Sequence, residues 1–135
     1  MMQPVKIVAR FRDGRMTKGY SQDFFPNKHT FHLYDHATGV SGDPIEIRLN
    51  ELKAVFFVKT FEGDPDYQER KTFEPEDRAS GRRVEVSFED GEVLQGTVLG
   101  HNPNQTGFFL FPIDTRSNNI RIFVVKEAVK EFKYL

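Results

Sequence analysis

Three histidines, His29, His32 and His36, stand close to Asp23 and Asp35, and imidazoles with carboxylates are a donor set for zinc and related transition metals. On a strand, His32 and His36 share a face but lie about 13 Å apart at roughly 3.3 Å per residue, too far to hold one ion without a turn. No metal site is expected. The segment Phe24-Phe25-Pro26-Asn27-Lys28 places two rings, an amide and an ammonium within one short stretch. That set can stack on a base and meet a phosphate, although Pro26 and Asn27 are also what a tight turn requires. Phe56, Phe61 and Phe73 are large apolar rings suited to a partner surface if exposed. The chain has no cysteine, no nucleophile elbow and no glycine-rich phosphate loop. Its acidic residues fall mostly in turns or in the middle of the chain. No catalytic residue and no cofactor site is expected, and the chain reads as a non-enzyme.

The elements that must position these groups are written twice. Phe11, Asp13, Gly14, Gly19, Pro26, Asn27, Phe31, Leu33, Ile45 and Lys53 recur 77 residues later as Phe88, Asp90, Gly91, Gly96, Pro103, Asn104, Phe108, Leu110, Ile122 and Lys130. Such self-similarity marks a duplicated unit. In the first copy, Val5, Ile7, Ala9 and Phe11 alternate with mostly polar neighbours, the pattern of a strand with one buried face. Asp13-Gly14 suits a tight hairpin, and Gly19 inside the returning strand marks a bend or a close backbone approach. Phe31 and Leu33, then Ile45 to Leu49, then Lys53 to Val58 supply three more strands. Asn50-Glu51-Leu52 fits a single 3₁₀ turn before the last of them. The second copy repeats the plan from Val84 to Leu135.

Residues 60–81 change character, being acidic and without strand alternation. Asp64 to Lys71 reads as a short helix, with Asp64 as N-cap, Pro65 in the first turn and Arg70 and Lys71 at the C-terminal end. Phe61, Tyr67 and Phe73 are placed to pin this connector onto a lobe.

Formal charge is +2 over residues 1–58, −3 over 59–81 and 0 over 82–135. No part resembles a basic nucleic-acid domain, whose affinity rests on clustered Lys and Arg. No apolar run approaches the roughly 20 residues needed to span a bilayer, and Met1 to Pro4 lacks the pattern of a signal peptide. A soluble, cytoplasmic protein without membrane contact is expected.

Five short strands with a DG turn after the first, a bent glycine-bearing second and a helical turn before the last resemble the Sm-like and SH3-like small β-barrels. Phe11 to Gly19 and Phe88 to Gly96 resemble the first half of an Sm motif. The basic-glycine signature of its second half has no equivalent at Ile45 to Leu52 or Ile120 to Ala128, so Sm-type RNA binding is not implied. Arg78-Ala79-Ser80-Gly81-Arg82 resembles the R-x-x-x-R half of the PilZ signature for cyclic di-GMP, without its partner motif. Gly19 to Asn27, Leu52 to Pro65, Gly107 to Pro112 and Ser117 to Val125 resemble an uncharacterised bacterial domain found alone or beside signalling modules such as PilZ and receiver domains. That resemblance implies an accessory or regulatory module with no assigned catalytic residues.

The expected architecture is all-β: two tandem five-stranded Sm/SH3-like barrels, residues 1–59 and 82–135, joined by a connector, 60–81, with a short helix. The expected function is a non-enzymatic interaction or regulatory module with a protein partner, homo-oligomerisation being compatible with it. The alternative is a single-stranded RNA or cyclic dinucleotide binder. Candidate contact residues are Phe24, Phe25, Asn27, Lys28, Phe61, Phe73, Arg78 and Arg82. Because the repeated residues are chiefly turn, bend and core positions, a specific site is expected where the repeat fails: the first copy's aromatic loop, the connector, or the cleft between lobes.

Overall fold

The computed structural model describes residues 4–35, 43–74, 81–100 and 104–135. The first unit holds β1 (Val5–Phe11), β2 (Met16–Ser21), β3 (Thr30–Leu33), β4 (Ile45–Arg48) and β5 (Leu52–Val58). The second holds β6 (Arg82–Phe88), β7 (Val93–Val98), β8 (Gly107–Pro112), β9 (Asn119–Val125) and β10 (Val129–Tyr134). A 3₁₀ turn precedes the last strand of each, Leu49–Glu51 and Lys126–Ala128. Both DG hairpins are built alike. Gly14 and Gly91 have φ of 96° and 94°, and the Asp13 and Asp90 carboxylates each accept the amide two residues on at 3.0 Å. Gly96 serves a different need, because a Cβ there would lie 2.4 Å from the Phe111 carbonyl oxygen.

The two units do not form separate closed barrels among the described strands. Eight strands make one antiparallel sheet in the order β10-β6-β7-β8-β9-β5-β1-β2, with β3 and β4 as a separate hairpin. The seam is β5 against β9, pairing Ala54 with Val124, Val55 with Phe123 and Phe56 with Ile122. The physical reason lies in β5 itself. Its run Leu52-Lys53-Ala54-Val55-Phe56-Phe57-Val58 is buried at every position, so both of its faces need cover. β4 has one buried residue in four, whereas β9 offers Phe123, Val124 and Val125, all fully buried.

Alternation along these strands then produces two cores on opposite faces of one sheet. Ile7, Ala9, Val55, Phe57 and Phe123 face the first, which the β3–β4 hairpin covers with Phe31, Leu33 and Ile47. Val8, Ala54, Phe56, Ile122 and Val124 face the second, with Val84, Val86 and Phe88. At the seam, buried Lys53 reaches from β5 to the second unit's hairpin, donating to Asp90 at 2.7 Å and to Glu92, with Phe88 beneath its ammonium at 4.7 Å. Arg12 pairs with Glu89 at 3.1 Å and Glu127 at 3.4 Å. Because Lys53 is so little exposed, its two carboxylate partners are what make its burial tolerable.

The connector helix expected over Asp64 to Lys71 is not formed. Asp64 starts a single turn, accepting the Asp66 amide on its side chain at 3.0 Å and the Tyr67 amide on its carbonyl at 3.1 Å. Beyond it, the Arg70 amide, which a helix would direct at the Asp66 carbonyl, donates instead to Asp114 at 3.1 Å. One charged acceptor in the loop between β8 and β9 outcompetes a helix too short to be stable alone. Among the described residues no helix is long and apolar enough to cross a membrane.

Candidate functional site

Two consequences of this fold meet at one place. The face of the sheet carrying the second core continues past its edge into a pocket of about 290 Å³, and the connector runs along it. Val8, Phe56, Leu94, Leu110 and Ile122 form its apolar floor. Arg10, Lys18, Arg70 and Lys71 stand around the rim, with Glu69 and Glu92. Arg10 lies over the Phe56 ring at 5.4 Å, and Lys18 donates to the Phe61 carbonyl at 3.2 Å. Phe61 closes one wall, edge-on to Tyr20 at 5.3 Å between ring centres. A polar groove lined by Lys59, Asp64, Tyr67 and Arg116 lies along the connector's neighbouring residues.

Two residues of the β8–β9 loop hold the connector in place. The Asn118 side chain accepts the Thr60 amide at 3.1 Å and hydroxyl at 3.2 Å, and donates to the Thr60 carbonyl at 2.9 Å. Asp114, 9% exposed, accepts the Tyr67 hydroxyl at 2.5 Å and the Arg70 and Arg116 amides at 3.1 and 2.9 Å. The Tyr67 hydrogen bond, with those amides, overcomes burial and holds the Asp114 carboxyl below its ordinary 3.8. The same contact pushes the Tyr67 hydroxyl up.

Asp114 therefore contributes stability that is present above about pH 4, the unfolded-state value, and lost as pH falls through the lower folded-state value. Replacing Asp114 by Asn is expected to cost ~1.5–3 kcal/mol near neutrality, the range for hydrogen bonds to a charged group. The gap between parent and variant should narrow as the pH is lowered below 4, and urea denaturation at pH 7, 4 and 3 measures it. A gap independent of pH would contradict the assigned role. Limited proteolysis should cut the variant faster within residues 60–81.

The residues singled out by sequence are dispersed. Phe24 is 6% exposed and sits in a ring cluster with Phe31, Phe57 and Phe123, at 5.2, 5.2 and 5.3 Å. It is a core residue, closed to stacking on a ligand in this conformation. Phe25 is exposed with the Lys28 ammonium 4.8 Å from its ring, and Asn27 is exposed in the same turn. Phe73 carries the Arg83 guanidinium at 4.7 Å, and Arg82 stacks on Tyr134 at 4.0 Å. Arg78 and His36 lie outside the described residues. Of those described, Phe61 lines the pocket's wall and Phe56 its floor. Phe56, named as a partner ring if exposed, is 8% exposed.

His32 is tied to Asp23, its Nδ1 lying 2.6 Å from one carboxylate oxygen and its amide donating to the other at 2.9 Å. Burial raises the Asp23 carboxyl, yet these bonds outweigh it and leave the group below its ordinary value. No group of three or more metal-ligating side chains occurs among the described residues.

Asp114, Asn118, Arg10 and Leu94 escaped the sequence reading. A signal existed for the first two, since the first copy has Ala37 and Ser41 at the equivalent places. Arg10 and Leu94 read as ordinary strand residues.

Fold and site together define an all-β protein in which a duplicated unit shares one antiparallel sheet and carries a cation-rimmed apolar pocket under its connector. The chain belongs to the Family of unknown function (DUF6982), matched over residues 3–135. No curated protein and no solved structure matches it.

Proposed function

We propose that this protein is a non-enzymatic bacterial interaction or regulatory module built from two Sm/SH3-like units, which docks a protein partner in the pocket beneath the connector. One observation carries the reading: the pocket combines an apolar floor of five side chains with a rim of Arg and Lys beside the connector. Apolar floors with polar rims are the usual anatomy of recognition sites. The rival reading, a single-stranded RNA or cyclic dinucleotide site, would have to rest on Phe25, Asn27 and Lys28, because Phe24 is occupied in the core.

Thermal shift separates the two, since a ligand that prefers the folded state raises its stability. Short oligoribonucleotides and cyclic di-GMP are expected to leave the midpoint unchanged, while a pool of extended peptides raises it. A rise with RNA that disappears in Phe25→Ala and weakens steeply with salt would replace the proposal.

A further inference from the structure

The pocket begins where the β7–β8 ladder ends. That ladder holds Gly96 against Pro112 and Thr97 against Phe111 and goes no further. Val93, Leu94 and Gln95 remain paired with β6 on one side only, opposite Ser87, Val86 and Glu85. The Phe88 amide donates to the Glu92 carbonyl at 2.8 Å, and hydrogen-bonding direction alternates along an antiparallel strand. The backbone groups of Leu94 are thereby turned to β6, and those of Val93 and Gln95 point outward. Both residues line the pocket, as do Pro112 and Ile113, where β8 diverges. An unpaired strand edge is a template for another strand.

The charge around this edge has a sign. Among the described residues, Arg10 and Lys71 make no ion pair and Lys18 bonds to a backbone carbonyl alone. Glu92 is already engaged by Lys53, which leaves Glu69 as the one rim acid without a basic partner among the described residues. An occupant must therefore be extended, must offer backbone hydrogen bonds, must fill an apolar floor and must bring negative charge.

Resting on the reading of a protein-docking module, we infer that the pocket binds an extended acidic segment of a partner protein as an added strand on the Val93–Gln95 edge of β7. A large apolar side chain of that segment enters over Val8, Phe56, Leu94, Leu110 and Ile122, and flanking Asp or Glu residues meet Arg10, Lys18 and Lys71. In such strand addition the main chain supplies affinity and the alternate side chains supply specificity.

The test is an array of seven-residue peptides centred on Leu, Ile, Phe or Trp with Asp/Glu, Ser or Lys flanks, followed by titration of the best binders into the ¹⁵N-labelled full chain. Acid-flanked peptides are expected to bind, to move the amide resonances of Val93 and Gln95, and to weaken with added salt. Arg10→Gln and Lys18→Gln should each weaken binding about two- to fivefold, as expected of exposed charge contacts. Val93→Pro, which removes an outward amide, should abolish binding; Arg10→Gln keeps the test decisive should that variant fold poorly. Equal binding of Lys-flanked peptides, or binding that leaves Val93 and Gln95 unmoved, overturns the inference while leaving the docking module standing. No binding by any peptide overturns the inference, and, joined to stabilisation by RNA or cyclic di-GMP, overturns the module as well.

Discussion

Truncating Phe123 to alanine is expected to lower stability by about 3–5 kcal/mol, the usual cost of removing a buried phenylalanine ring. The side chain is 0% exposed and lies 5.3 Å from Phe24 and 5.1 Å from Phe109 between ring centres. It belongs by sequence to the second unit and by packing to the first core. The loss should therefore strike both units together. Urea denaturation followed by circular dichroism is expected to show one transition, shifted as a whole, since a small domain has only about 5–15 kcal/mol to lose. Two separated transitions, with the second unit unaffected, would show the cores to be independent and would contradict the shared sheet.

Replacing Gly107 by alanine is expected to be comparably damaging, although it adds a single methyl group. Gly107 opens β8 opposite Val125, and a Cβ there would meet the Val124 carbonyl oxygen at 2.0 Å and the Phe123 ring at 2.8 Å. The first is backbone within the sheet and the second is a buried ring, so neither yields cheaply. A cost of about 3 kcal/mol, at the upper end for overpacking, should appear as a lowered urea midpoint with an unchanged slope. A loss under 1 kcal/mol would mean that β8 can move away from β9, and that ladder would then be softer than the packing implies.

Both expected results concern β9, whose pairing with β5 is where reading the chain as two barrels fell short. The duplication, both DG hairpins, the 3₁₀ turns and the all-β character were legible because each depends on neighbours along the chain. The close approach at Gly96 was legible too, from a glycine inside an alternating strand. The connector helix was a local reading that failed: Asp64 does cap a turn, but Asp114, distant in sequence, draws the following backbone onto the β8–β9 loop. Phe24 failed in the opposite sense. A ring in a turn-rich segment reads as available, yet Phe31, Phe57 and Phe123 enclose it.

The site divides along the same line. The site's anchors are legible in the connector's aromatic residues, Phe61 packing edge-on to Tyr20 and Tyr67 bonding Asp114. Its lining did not follow, because Val8 and Leu94 are ordinary members of their own strands and become one floor when β1 and β7 are brought across the curved sheet.

From the chain alone came the repeated unit, its strand order along the sequence, its turns, and the absence of cysteine chemistry, since composition, period-two alternation and positive φ are properties of residues and near neighbours. The pairing of β5 with β9, the placing of two cores on opposite faces and the opening of β7 beside a cationic rim required the folded chain. Edge pairing joins residues far apart in sequence, and a strand apolar on both faces specifies that it must be covered without specifying by what.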